Sequence, residues 1–162
     1  EPAFAPWPEL RLLLEPGRYL VADAGILLTS VLYRKKTTKK NFIIVDGAMT
    51  DLPRPALYGA WHPVEAVAPR RGRKKTADIV GPVCESGDFL ARNRRLPPLE
   101  RGDLLAVGKA GAYGFSMSSQ YNSRPRAAEV LLDGRRVLLA RRRETVKDIY
   151  AAETCGEPYE KP

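Results

Sequence analysis

The chain has 162 residues, of which 44% are hydrophobic and 28% charged, with a formal net charge of +8. This size and balance are typical of one ordinary domain and exclude disordered and collagen-like chains. No apolar run approaches the length that spans a bilayer, and the first residues form no signal peptide, so we expect neither a membrane protein nor a secreted one. The chain starts at Glu1 rather than Met, which favours a cut chain over a natural start.

Two cysteines and one histidine restrict the available chemistry. Cys84 and Cys155 are too few and too far apart for a disulfide framework or a metal cluster, and His62 alone makes no histidine-rich zinc site. We therefore expect a protein of the reducing cytoplasm with no metal centre.

Sixteen of the 27 basic residues lie in four short clusters, at 34–40, 70–75, 92–95 and 141–143. A basic protein invites a nucleic-acid hypothesis, but single-strand binders interleave aromatic residues with their charges, and these clusters contain Thr, Gly, Asn and Pro instead. We interpret the clusters mainly as solvated loop tips, and nucleic-acid binding is the weaker alternative.

In chain order, the first predicted element is a strand at 9–15, where Leu10 and the run Leu12, Leu13 and Leu14 make both faces apolar. Such a strand is typical of a parallel sheet covered by helices, and nothing else in the chain supplies that sheet. Shorter β-rich runs follow at 26–33, 42–45, 78–83, 103–107, 112–117 and 127–140. Their spacing predicts a mainly β body, an antiparallel sandwich or barrel.

The C-terminal part gives clearer local signals. Apolar runs on both sides of Asp133 and Gly134 predict a tight β-hairpin, because this pair can supply the positive φ values of the turn. Thr145 and Asp148 have the spacing of a capping box, which predicts a short closing helix. Residues 153–162 show no periodicity and are interpreted as a tail.

The segment 15–18 follows the first predicted strand and contains an acid, a turn and a base. Pro16 and Gly17 allow a sharp turn that exposes Glu15 and Arg18 at the C-terminal end of the strand, where α/β barrels place their ligands. By itself, the segment is more typical of a turn with a solvated ion pair than of a ligand site.

Arg54 and Tyr58 would share a face if their segment is helical. Such a pair can bind a carboxylate through the guanidinium fork and the hydroxyl group. The alternative is an exposed Arg beside a core Tyr.

Cys84, Glu85 and Asp88 place a thiol and two carboxylates in one turn. A thiol is largely protonated at neutral pH and can donate its proton, although a lone Cys after a strand is more often inert. Further along, small residues surround Tyr113, which predicts either close approach to a ligand or a β-bulge with a core Tyr.

These four segments, in this order and spacing, closely resemble the C-terminal β-domain of bacterial diaminopimelate decarboxylases, which are pyridoxal-phosphate enzymes with the alanine racemase-like fold. The resemblance covers about residues 10–151 and rests on EPGR, RPALY, CESGDFL and GAYGFSMSSQYNSRPR, with NFIIVDGAMTDL and GDLLAV in support. It implies a Greek-key-like antiparallel β-barrel with a few short helices. It also implies that 1–18 is the remnant of a preceding TIM-like barrel, that 19–152 is the β-domain and that 153–162 is a tail.

The resemblance implies cofactor contacts for the first and fourth segments. Glu15 would lie beside the cofactor ring nitrogen and keep it protonated, so that the ring acts as an electron sink. Gly17, Arg18 and Tyr113 would contact the cofactor, and Arg18 and Tyr113 would also contact the substrate.

For the second and third segments, the resemblance implies substrate binding and proton transfer. Arg54 and Tyr58 would hold the distal carboxylate of diaminopimelate, and Glu85 its distal amino group. Cys84 would protonate the substrate carbanion. Because Cys84 and Glu85 of the family reach a neighbouring subunit's active site, a homodimer with shared sites is implied.

The family's Schiff-base lysine, phosphate-binding glycines and ring-stacking His lie in the preceding barrel, which this sequence lacks. We therefore expect the chain to be inactive alone and to contribute to lysine biosynthesis only with its barrel. Two alternatives stay open: a related basic amino acid decarboxylase, and a free-standing β-domain that binds a partner and performs no chemistry.

Overall fold

The computed structural model describes residues 9–154 and 156. The described residues form eight strands: β1 Leu27–Lys36, β2 Asn41–Val45, β3 Val64–Ala66, β4 Lys75–Val80, β5 Phe89–Leu96, β6 Leu104–Val107, β7 Glu129–Asp133 and β8 Arg136–Arg141. The α-helices are α1 Arg54–Tyr58 and α2 Val146–Ile149. Single 3₁₀ turns occur at Arg18–Leu20, Ala22–Ala24, Phe115–Met117 and Tyr121–Ser123.

The first six strands form one sheet in the order β3-β6-β1-β2-β4-β5, and β7 and β8 form a separate hairpin. All neighbours in the six-stranded sheet are antiparallel except β2 and β4. The two edge strands, β3 and β5, contact each other and nearly close the sheet into a barrel. Arg94 of β5 contributes to this closure, because it donates to the backbone oxygen of His62 at 3.2 Å and stacks on the ring of Trp61.

The interior of this barrel is the hydrophobic core. In β1, β2 and β6 its members alternate with less buried residues, as expected for a sheet with one buried face. The apolar side chains that are at most 1% exposed are Val31, Val45, Ala48, Leu52, Ile79, Leu90, Leu105 and Val107. The mainly β barrel architecture expected from the sequence is therefore confirmed.

Most of the predicted local elements are confirmed. Strands are found at 26–33, 42–45, 78–83 and 103–107, with shifted ends. Asp133 pairs with Arg136 across the predicted hairpin, and Gly134 has φ +58° in its turn. In the predicted capping box, the backbone N–H of Thr145 donates to Asp148 at 2.6 Å.

Two predicted strands are wrong. Residues 112–117 form turns and a 3₁₀ turn, because Tyr113 adopts the left-handed φ of +58°, which is incompatible with a strand. Residues 10–14 are not a strand either. Leu10, Leu12, Leu13 and Leu14 are 59–74% exposed, since no described strand lies beside them to pair with.

Strands β3 and β5 were not predicted, and the cluster 92–95 is not a loop tip, because it lies within β5. Its arginines are accommodated by aromatic rings: Arg92 lies 3.7 Å from the ring centre of Phe89, and Arg94 lies 4.7 Å from that of Trp61. Such stacking lets a charged side chain cover apolar surface within a sheet. Most of the predicted tail, including Cys155, lies outside the described residues.

His62 provides a test of the fold because it is the single histidine of the chain and is fully buried. Burial lowers its pKa from 6.5, and the charges of Arg18, Arg54 and Arg94 act in the same direction, against the hydrogen bond to Gly108. The unfolded chain therefore binds a proton at His62 as the pH falls through 6.5, whereas His62 of the folded chain stays neutral until a lower pH. We predict that the free energy of unfolding, measured with urea, is fully retained above pH 6.5 and falls as the pH drops below it.

His62→Asn is the matching variant, since its amide can still donate to the Gly108 carbonyl. We expect this variant to lose less stability than the wild type between pH 7 and pH 5. Equal losses in both proteins would show that His62 does not titrate with folding.

Candidate functional site

The candidate site lies at one end of the barrel, where β1 begins and β2, β4 and β6 end. The strand directions follow from the antiparallel and parallel pairings, and they bring the segments after these strand ends to the same edge. The segments are 46–58, 81–88 and 108–115, together with 15–25 before β1. All four motifs singled out in the sequence therefore lie at this end.

A contact between two glycines brings the first and fourth motifs together. The backbone N–H of Ala110 donates to Gly25 at 2.9 Å, and that of Gly111 donates to Ala22 at 3.1 Å. A Cβ atom on Gly25 would overlap the backbone of Gly111, and a Cβ atom on Gly111 would overlap the backbone of Val21 and Gly25. Glycine is thus required at both positions for the two backbones to approach this closely.

The contact places the 15–18 turn beside Tyr113. A Cβ on Gly17 would lie 3.4 Å from the Tyr113 hydroxyl oxygen, and the guanidinium of Arg18 donates to the backbone oxygen of Lys109 at 3.2 Å. Lys109 and Tyr113 have φ values of +59° and +58°, a strained conformation for residues with a Cβ. Tyr113 is 44% exposed, so it is not the core Tyr of a bulge.

Helix α1 adds Arg54 and Tyr58 to this group, which confirms the helical spacing. The guanidinium carbon of Arg54 lies 5.4 Å from the ring centre of Tyr58 and 5.8 Å from that of Tyr113. The helix ends at Gly59, whose φ of +60° is the usual left-handed cap. Arg54 therefore connects the second motif with the fourth.

The loop before α1 is held by two aspartates. Asp46 accepts hydrogen bonds from the Thr29 hydroxyl at 2.6 Å and from the Ser30 N–H at 2.7 Å. Asp51 accepts the N–H of Ala48 at 2.9 Å, and burial raises its pKa above the ordinary value. These bonds fix the point from which α1 starts.

Three buried nitrogen atoms near this group have no partner within the described residues: Arg18 Nε, Arg54 Nε and His62 Nε2. A buried polar group without a partner is costly, and two guanidinium groups in such a state favour an anionic ligand. The residues present thus fit the phosphate of a cofactor or the carboxylate of a substrate.

Cys84 and Glu85 lie in a separate loop at the same end. Asp88 anchors this loop, since its carboxylate accepts the N–H of Val83 at 2.6 Å and that of Met49 at 2.7 Å. The thiol of Cys84 is free and exposed, as a proton donor requires. The described hydrogen bonds and ion pairs do not connect Cys84 or Glu85 to Arg18, Arg54 or Tyr113.

Glu15 is not brought to the cluster by its side chain. Glu15 is exposed, and among the described residues its hydrogen bond is made by its backbone oxygen, which accepts the N–H of Gly17 at 2.8 Å.

Sequence reasoning missed His62, which lies near Arg18 and Arg54 and holds the Gly108 oxygen through Nδ1 at 2.9 Å. The sequence signal that could have identified His62 was its position, four residues after Tyr58 and directly before Pro63.

Within residues 9–154 and 156, no group of three or more His, Cys, Asp or Glu side chains could hold a metal ion. The same residues contain no helix that is long and apolar enough to cross a membrane.

Comparisons with known proteins show which proteins this chain resembles. A diaminopimelate decarboxylase of Pseudomonas fluorescens is 60% identical over 90% of this chain, and the chain covers 35% of that protein. The crystal structure of diaminopimelate decarboxylase from Helicobacter pylori complexed with L-lysine is 44% identical, with a TM-score of 0.81 over 91% of this chain and 36% of that one. A lysine/ornithine decarboxylase from Vibrio vulnificus complexed with cadaverine is 27% identical, with a TM-score of 0.65 over 78% of this chain and 35% of that one.

The chain thus spans about a third of the length of the relatives it matches. The model of the pyridoxal-dependent decarboxylase C-terminal sheet domain matches residues 18–111, more than half of the chain. The chain belongs to the family of pyridoxal-dependent decarboxylase C-terminal sheet domains.

Proposed function

We propose that this chain is the C-terminal part of a diaminopimelate decarboxylase, which converts meso-diaminopimelate to L-lysine and carbon dioxide. The single observation that carries the proposal is the grouping of Arg18, Arg54, Tyr58 and Tyr113 around two buried guanidinium nitrogens without a partner. The 60% identity to a named diaminopimelate decarboxylase supports it.

The chain needs a preceding barrel for activity. Residues 1–18 are its remnant, 19–152 the β-domain and 153–162 the tail. The exposed leucines at 10–14 support this division. A segment that is apolar on both faces forms a stable strand only between covering layers, and a preceding barrel would supply those layers. No lysine among the described residues is buried as imine chemistry requires.

Pyridoxal phosphate, when bound, withdraws electrons from the substrate α-carbon. Glu15, Gly17, Arg18 and Tyr113 are this chain's contribution to holding it. Arg18 supplies a fixed positive charge, since its hydrogen bond to Lys109 restrains the guanidinium, and Tyr113 supplies a hydroxyl beside Gly17, where no side chain intervenes.

Arg54 and Tyr58 select the substrate. A partly buried guanidinium with an open Nε donor binds the distal carboxylate of diaminopimelate, which lysine and ornithine lack. With those substrates the charge stays unpaired, and this penalty discriminates against them. A related basic amino acid decarboxylase is the second candidate, favoured only by the weaker likeness to the lysine/ornithine enzyme.

Cys84 delivers a proton from Sγ to the substrate carbon, and Glu85 binds the distal amino group. From the resemblance to the decarboxylase family, we infer that both residues act in the site of a second copy and that the protein is a homodimer of the cytoplasm. The exposure of Cys84 is consistent with this role. The β7–β8 hairpin supports the presence of a packing partner, because six of its apolar side chains are 44–71% exposed: Val130, Leu131, Leu132, Val137, Leu138 and Leu139.

In the complete protein, Cys84→Ala should lower kcat for meso-diaminopimelate by about 100-fold with little change in KM, because general acid catalysis contributes at least about that much. Ser86→Ala, in the same exposed loop, is the matched control and should retain activity. Turnover unchanged in Cys84→Ala at equal Tm would remove the proton-donor assignment.

Arg54→Met should raise KM for meso-diaminopimelate by about 10- to 100-fold, the worth of a hydrogen bond between charged groups. The ratio of kcat/KM for diaminopimelate to that for lysine should fall by the same factor, which a purely structural role would not produce. Arg101→Met, at an exposed position, controls for loss of charge. If the wild type decarboxylates lysine faster than diaminopimelate, the second candidate is correct.

Mixing the two impaired variants of the complete protein tests the shared site, at a meso-diaminopimelate concentration near the wild-type KM, where each variant alone turns over slowly. When Cys84→Ala and Arg54→Met subunits exchange, a heterodimer contains one intact site if Cys84 and Arg54 of each site come from different subunits. We expect recovery of about a quarter of the wild-type rate at equal mixing, since half of the dimers are then mixed and each has one of two sites intact. No recovery, with exchange shown by mass spectrometry, would place both residues in one subunit's site.

A further inference from the structure

The end of the barrel opposite the candidate site contains a cavity of about 340 Å³. It lies where β1 and β5 end and where β2 and β4 begin. The lining residues are Arg34, Lys35, Lys36, Asn41, Phe42, Ile43, Lys75, Leu96, Pro97, Pro98 and Leu99. Nothing in the proposed decarboxylase site uses this end of the sheet.

The strand register places three of the cations on the inner face of the barrel. Arg34 pairs with Ile43, which is 8% exposed, and Lys75 pairs with Leu96, which is 4% exposed. Directly paired residues of neighbouring strands share a face of the sheet. Lys36, two residues after Arg34, lies on the same face by the alternation of a strand. The cations therefore rim the open end of the barrel above its core.

The rim cations are poorly neutralised. Arg34 approaches Glu100 at 3.9 Å, a long and exposed pair. Among the described residues, Lys36 and Lys75 have no ion-pair partner. Below them, Ile43, Leu96 and Leu99 form an apolar base.

We propose that this cavity binds a small amphiphilic anion, a carboxylate or phosphate attached to a short hydrocarbon body. The rim of cations binds the head, and the apolar base takes the body. A volume near 340 Å³ fits a small molecule rather than a folded partner, and the open end of a barrel is a frequent position for such sites.

Hexanoate, hexyl phosphate and hexanamide are the probes, titrated into the ¹⁵N-labelled complete protein and followed by NMR. Both anions should shift the amide signals of Ile43 and Leu96, and the neutral amide should bind at least about tenfold more weakly, since the head group supplies the charge interaction. A tighter complex with hexyl phosphate would identify phosphate as the preferred head, and equal or tighter binding of hexanoate would identify carboxylate.

The double variant Lys36→Gln/Lys75→Gln should weaken hexanoate binding by about tenfold. Lys39→Gln/Lys74→Gln removes the same charge from the same two basic clusters at exposed residues that do not line the cavity, and its affinity should stay within about twofold of the wild type. The proposal is overturned if both double variants weaken binding equally, which would indicate non-specific attraction. It is also overturned if hexanamide binds the wild-type protein as tightly as hexanoate, or if no probe shifts the amide signals of Ile43 and Leu96. Both of these results come from the wild-type protein and do not depend on whether a variant folds.

Discussion

The close backbone contact between Gly25 and Gly111 determines the geometry of the candidate site. It joins the segment before β1 to the segment after β6, two parts of the chain separated by most of the barrel. Without it, neither the Arg18 bond to Lys109 nor the position of Gly17 beside Tyr113 would be fixed. Tyr113 follows Gly111 by two residues and has a strained φ of +58°, a feature that is common at functional sites.

Sequence patterns predicted the parts of the fold that local physics controls. The Asp133–Gly134 turn and the capping box at Thr145 depend on neighbouring residues, and both are present. The strand β5 was not predictable in this way, because its three arginines conceal the apolar alternation until Phe89 and Trp61 are known to lie beneath them. The strand expected at 9–15 fails for the opposite reason: its apolar pattern is clear, but pairing needs a neighbour that the described residues do not supply.

The candidate site shows the same contrast between local sequence patterns and contacts that only the fold reveals. Motif spacing indicated Arg54, Tyr58 and Tyr113, and the structure brings them together. His62 was not identified, since a single histidine carries no pattern, and its significance comes only from burial beside two arginines. The roles proposed for Cys84 and Glu85 require a second copy of the chain, which no property of one copy reveals. The role proposed for Glu15 requires the cofactor in the same manner.

The pairing of β1 with β6 has a consequence for synthesis of the protein. Leu27 pairs with Val107, so the middle of the sheet joins residues that leave the ribosome about 80 positions apart. Contacts this distant in sequence slow folding, because the intervening chain must be ordered first. Until β6, which ends at Val107, has emerged, the edge of β1 that pairs with it is open and can associate with another nascent chain. The stretch of translation between Leu27 and Val107 is therefore the period in which this domain is most exposed to aggregation.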